Sequence, residues 1–138
     1  MPKALRSVLA VVAGFCVIGA LAFGTGRIFQ SMSPAQFDAS GIPTTTVMMI
    51  VQLLYVGVIA TFGCWLAGRL APSRPMAHAL AVGVLGLALN VSSAFMLRGT
   101  HPMWYLATGV VTTMLWAWLG GRLAERTTAS RDVMAAAA

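Results

Sequence analysis

Two tryptophan–arginine pairs are the first residues in this chain whose types and spacing could do chemistry. Trp65 and Arg69 stand four apart, and Trp118 and Arg122 repeat the spacing. Residues four apart on an α-helix share a face, so each guanidinium is expected beside an indole. A cation over an aromatic ring gains about 0.5–1 kcal/mol or more. At a membrane edge such a pair is ordinarily a belt tryptophan with a snorkelling cation. Two of them also make a candidate contact for a lipid phosphate or another anion.

A second set is polar but embedded in apolar sequence. Gln52 and Tyr55 are spaced to share one helix face, and Asn90, Ser92 and Ser93 form a short patch. Thr108, Thr112 and Thr113 follow later in the chain. Interhelical hydrogen bonds of this kind are worth about 0.6 kcal/mol on average, so structural glue is their default role. A hydrophilic path for a substrate is the alternative. No acid lies among these residues, which argues against an ion-coupled pump, since such machinery uses intramembrane ionisable groups.

Catalysis finds little footing. General acid–base work needs titratable groups within hydrogen-bond reach, and His78 and His101 are expected at opposite ends of one apolar segment. Asp38, His101 and a loop serine could formally make a triad, but nothing in their spacing links them. Cys16 and Cys64 show no C-x-x-C pattern and are expected to pack as small buried hydrophobes. Met32, Met48, Met49, Met96 and Met103 fall near one end of the apolar segments, but without a tight ligand motif they read as packing residues, not as a soft-metal site. No catalytic, cofactor-binding or metal-binding residue is assigned.

The segments that carry these residues are long and uncharged. Residues 7–26, 39–68, 75–97 and 99–121 contain no Asp, Glu, Lys or Arg. Charged residues make up 9% of the whole chain and hydrophobic ones 59%, against roughly 25% charged in soluble domains. A helix needs about 20 apolar residues to cross a bilayer of about 30 Å, and each run is long enough. Backbone polar groups must be satisfied internally in lipid, so the runs are expected to be helices. The pattern predicts an all-α integral membrane protein with four transmembrane helices over about 7–26, 45–68, 76–97 and 103–121. These form one domain, 1–126, and the tail 127–138 is expected to be frayed helix or disordered. The apolar run through Gly26 outlasts the 7–15 residues of a secretory h-region, so a cleaved signal peptide is not expected.

The net charge of +6 does not point to nucleic acid, because the basic residues stand singly at span ends. Lys3, Arg6, Arg69, Arg74, Arg122, Arg126 and Arg131 fall on one side, and Arg27 and Arg98 are the cations of the other. By the positive-inside bias the N and C termini are expected in the cytoplasm.

The two halves also resemble one another. Trp65-Leu66-Ala67-Gly68-Arg69-Leu70-Ala71 returns as Trp118-Leu119-Gly120-Gly121-Arg122-Leu123-Ala124, identical at six of seven positions. The four spans are therefore expected as two similar helical hairpins, the product of an internal duplication, related by an axis along the membrane normal. Small residues four apart, such as Ala20 and Gly24 or Gly63 and Ala67, allow close helix packing. The leading functional expectation is a non-catalytic subunit or interaction protein of a prokaryotic inner membrane. Its partners would be membrane lipids (anionic headgroups included) and either a second copy of itself or another membrane subunit. The second is a small oligomeric transporter or lipid-handling protein that uses the polar residues of spans two and three.

Overall fold

The computed structural model describes residues 2–136, with side chains described for 2–130. Four helices follow one another: α1 (Lys3–Met32), α2 (Thr46–Leu70), α3 (Pro75–Met96) and α4 (Met103–Ala136). A single 3-10 turn, Pro34–Gln36, lies between α1 and α2. No strand occurs among the described residues, only isolated bridges between Phe37 and Pro43 and between Arg98 and His101.

Proline and glycine set the boundaries. Pro2 precedes α1 in an extended conformation, and Pro34 follows its end. Pro75 opens α3, where a missing N–H costs nothing. The turn before it bends through Arg74, which takes a left-handed φ of 49°. Between α3 and α4 the chain reverses through Gly99 at φ 90°, with Pro102 ahead of the first turn of α4.

α1 is longer than the 7–26 expected, because helical backbone runs on past the apolar stretch at both ends. Its 30 residues span about 45 Å, so Lys3, Arg6 and Arg27 stand on turns beyond a hydrocarbon layer of about 30 Å. α4 also differs from its expected extent. The helix continues through residues 127–136, which the sequence leaves as frayed helix or disorder; residues 137 and 138 lie outside the described part.

α1, α2 and α3 are each long and apolar enough to cross a membrane. α4 is long enough but less apolar, since its first five turns hold three tryptophans, a tyrosine and three threonines. The distribution of size between inside and outside is that of a protein dissolved in lipid. The largest fully buried side chains are only Val82, Pro43 and Cys64, while Phe23, Met96 and Val111 are 73%, 84% and 75% exposed. Ala10, Cys64, Ala67, Ala79, Ala117 and Ala124 build much of the interior, and a second cluster of Met49, Tyr105 and Leu106 is buried near the other end. Small residues let helix backbones approach where no hydrophobic effect drives them together.

Successive helices run antiparallel. Gly14 of α1 lies against Gly63 and Ala67 of α2, and Gly26 lies near Tyr55. Gly83 and Gly86 of α3 face Ala117 and Thr113 of α4. α2 and α4 run parallel and form the most extensive helix contact, and α1 leans on α2 and α3. Lys3, Arg6, Arg69, Arg74, Arg122 and Arg126 therefore gather at one end of the bundle, the basic end. Arg27 and Arg98 stand at the opposite, loop end. The side chain of Arg131 lies outside the described residues.

Candidate functional site

A cavity of about 360 Å³ runs inside the bundle, a volume within the range of small-molecule sites. α2 lines it with a stripe four residues apart, Gln52, Val56, Ala60 and Cys64, which covers about 18 Å of helix. α3 contributes Val82 through Leu97, α4 contributes Tyr105 through Trp116, and Phe15 and Ile18 of α1 cover part of the remaining side. Gly57 on α2 makes room for the Trp116 indole, whose Nε1 would lie 2.7 Å from any added Cβ.

The polar atoms of the cavity concentrate at one level near the loop end. The Asn90 amide donates from Nδ2 to the Gly86 carbonyl at 3.1 Å and to Thr113 Oγ1 at 3.0 Å. Thr113 in turn donates to the Gly109 carbonyl at 2.6 Å. Asn90 Oδ1 faces Gly109, near which the Leu53 side chain also arrives, so Asn90 and the neighbouring Gln52 reach one depth. Thr112 spends its hydroxyl on the Thr108 carbonyl of its own helix at 2.7 Å. Gln52 is different: its Oε1 is buried and has no hydrogen-bond partner. An acceptor left unmet in an apolar interior costs about 1–3 kcal/mol.

The expected polar patch is therefore divided. Gln52, Asn90 and Ser93 line the cavity together. Tyr55 does not join them, because it stacks on Phe29 of α1 with ring centroids 5.3 Å apart. Three residues of helix separate Gln52 and Tyr55 by about 60°, enough to send one inward and the other toward α1. Ser92 is exposed and donates to the Ala88 carbonyl at 2.8 Å. Thr112 and Thr113 of the expected polar set line the site as well, and Tyr105 and Trp116 join them; nothing in the sequence marked Trp116 as a cavity residue.

The segment between α1 and α2 closes the loop end of the cavity. Asp38 Oδ1 accepts the backbone N–H of Ser40 at 2.8 Å and of Ile42 at 2.9 Å. The Asp38 N–H donates to the Ile42 carbonyl at 2.8 Å, and the Thr44 N–H to the Gln36 carbonyl at 2.8 Å. Pro43 is buried and Ile42 lines the cavity. Asp38 thus shapes the loop and is turned away from any triad. His78 and His101 sit at opposite ends of the bundle, one against the Arg74 carbonyl and one against Thr100 Oγ1.

The tryptophan–arginine pairs take the same geometry twice. The Arg69 guanidinium carbon lies 5.3 Å from the Trp65 ring centroid, and that of Arg122 lies 5.2 Å from Trp118. Arg69, Trp118 and Arg122 are exposed and Trp65 half-buried. At the loop end Arg27 is exposed and reaches Gln30 Oε1 at 3.4 Å; Arg98 is exposed as well.

Cys64 is buried as expected, but Cys16 is exposed, because it falls on the flank of α1 turned away from the other helices. Met48 and Met49 are buried while Met32, Met96 and Met103 are exposed, so these sulfurs do not converge. No group of three or more His, Cys, Asp or Glu able to hold a metal occurs among the described residues. Compared with known proteins, the chain matches no family model, no curated protein and no solved structure.

Proposed function

We propose that this chain is a four-span inner-membrane protein that binds a small molecule from the lipid phase, acting in lipid handling or transport and not in catalysis. The observation that carries the reading is the cavity itself, about 360 Å³ in volume and lined at its polar level by Gln52, Asn90, Ser93 and Tyr105. Structural glue explains Asn90, whose amide donors are matched, and does not explain Gln52. In this reading α4 crosses the membrane with the other three helices. The basic end faces the cytoplasm with both termini, as the excess of Lys and Arg there favours. The two tryptophan–arginine pairs hold anionic headgroups at that surface, and the hairpins are copies of one ancestral unit. Four helices enclose only a slot, so movement of a ligand across the membrane requires self-association.

The test is native mass spectrometry of the protein released from mild detergent. A bound molecule of defined mass that is lost in Gln52→Leu supports the reading; apo protein under every extraction condition sinks it.

A second reading, a non-catalytic subunit that packs against another membrane helix, has its own support. No atom stands within 4 Å of where side chains on Gly19 and Gly24 of α1 would begin, and Ala20 beside them is exposed. A stoichiometric companion in the same spectra would favour it.

A further inference from the structure

We infer that the cavity seats an uncharged lipid by one acceptor oxygen of its head, such as a ketone carbonyl, held between Ser93 of α3 and Tyr105 of α4. The inference rests on the proposed binding role of the cavity and names the ligand class and its seat.

The seat follows from helix register and from the donors left over. α3 and α4 run antiparallel, with Gly83 against Ala117, Gly86 against Thr113 and Asn90 against Gly109. Each step toward the loop end advances α3 by about one turn and retreats by one along α4. The next turn sets Ser93 and Ala94 beside Tyr105 and Leu106, and all four line the cavity. Deeper in the slot the donors are spent. Asn90 Nδ2 donates to Gly86 and Thr113, and Thr112 and Thr113 donate to carbonyls of their own helix. The Ser93 and Tyr105 hydroxyls make no hydrogen bond among the described residues. The Tyr105 oxygen, unlike Gln52 Oε1, is not sealed off by protein.

A hydroxyl proton with no acceptor in apolar surroundings is costly. One carbonyl oxygen carries two lone pairs and can take a proton from each hydroxyl. A donor on the ligand is not required, so an alcohol would bind through its oxygen in the same way, and a hydrocarbon would not. The Trp116 N–H is a third unspent donor, but it stands about 16 Å deeper along α4, against Gly57, and does not share that oxygen. The lack of charge follows from the rest of the lining. None of the cavity residues is Asp, Glu, Lys, Arg or His, so an ionised head would lie there with no counter-charge.

Orientation and route follow from position. The seat lies near the loop end, where Ile42 and Pro43 cover the slot. The apolar tail then points toward the basic end, along Val56, Ala60, Phe15 and Val82. Ser93 is the only cavity residue that is itself exposed, and its neighbours Phe95 and Met96 are 70% and 84% exposed apolar surface. The mouth therefore opens through a lipid-facing wall at the depth of the seat.

The test uses the full chain in phosphatidylcholine nanodiscs, with Trp65, Trp104 and Trp118 replaced by Phe so that Trp116 alone reports from the cavity wall. Bromine quenches indole at contact. The probes share one dibromostearyl chain and differ at the head: the methyl ketone, the alcohol, the bare hydrocarbon, the sulfate ester and the trimethylammonium salt. The expected result is saturable quenching by the ketone and the alcohol alike, and weaker binding of the hydrocarbon by about ten-fold or more, the loss of two hydrogen bonds. The charged probes should give only the linear quenching of bulk lipid. Ser93→Ala and Tyr105→Phe each remove one donor and keep the shape of the wall. Each should weaken the ketone by about three- to ten-fold and leave the hydrocarbon unchanged. Ketone binding that ignores both variants, a hydrocarbon as tight as the ketone, saturation by the alcohol without the ketone, or saturation by a charged probe overturns the seat and leaves the cavity a binding site. Linear quenching by every probe means the slot holds water or nothing, and both this inference and the binding role fall.

Discussion

Gln52 and Asn90 carry the same carboxamide, but only Asn90 spends its amide N–H donors on hydrogen bonds within the bundle. The Asn90 amide is matched by Gly86 and Thr113, whereas Gln52 Oε1 has no partner. Replacing each by leucine should therefore move stability in opposite directions. Gln52→Leu removes an unmet acceptor and should stabilise the lipid-stripped protein, by about 1 kcal/mol or somewhat more. Asn90→Leu removes an interhelical bond and should destabilise by about 0.6–1 kcal/mol. Thermal unfolding of both variants in one detergent, followed by helical circular dichroism, checks the pair; equal losses would mean Gln52 has a partner in solution. The arginines invite a different comparison. If Arg69 and Arg122 hold anionic headgroups over their tryptophans, the double variant Arg69→Gln/Arg122→Gln should co-purify with at least several-fold less anionic phospholipid, at about 1 kcal/mol per basic residue near the surface. Unchanged lipid content in thin-layer or mass analysis would reduce both pairs to belt residues.

At the scale of helices, the one position at which the repeated phrase differs is also one at which its two copies pack differently. Ala67 of α2 is fully buried against α1, where Gly14 receives it: a Cβ on Gly14 would lie 2.7 Å from that of Ala67 and 2.6 Å from the Gly63 carbonyl. The corresponding residue of α4 is Gly120, which lies directly on the α2 backbone. A Cβ there would stand 2.5 Å from the Thr61 carbonyl and 2.9 Å from the Trp65 nitrogen. Backbone cannot yield as a flexible side chain can, so Gly120→Ala must push α4 away from α2. A loss of about 1–3 kcal/mol is expected, and about 1–2 kcal/mol for Ala67→Gly, which loosens a helix interior and removes a buried methyl. An unchanged stability in Gly120→Ala would show that α4 does not approach α2 this closely. The same contrast explains how much could be read beforehand. Apolar length alone revealed where helices run, because lipid leaves the backbone no other solution. The polar site was half legible: Asn90 and Ser93 follow from their isolation in an apolar run. Its other half depends on which way a helix is rotated, and with apolar residues on every side of α2 no periodicity announced that Gln52 points inward and Tyr55 toward Phe29.

For the whole molecule, the question is how the bundle sits in the bilayer and whether α4 crosses it. α4 is the least apolar of the four, yet it makes the most extensive helix contact, with α2, and runs parallel to it. A helix packed along the length of a spanning helix at backbone distance has no room to lie on the surface, so α4 should cross with it. That places the Asp38 loop and the α3–α4 turn on one side, and the α2–α3 turn on the other. With six described basic residues at the end bearing the α2–α3 turn and Arg27 and Arg98 at the opposite one, that turn should be cytoplasmic. Single cysteines report this directly in a background lacking Cys16 and Cys64. Cysteine at Ser40, or at Thr100 in the second outer turn, should react with a membrane-impermeant maleimide on intact spheroplasts. Cysteine at Ser73 or Thr128 should react only after lysis. Labelling of Ser40 and Thr100 on opposite sides would remove a span and with it the cavity. Labelling of Ser73 from outside would invert the molecule, and its arginines would then face the wrong surface to meet the anionic lipid of the cytoplasmic leaflet.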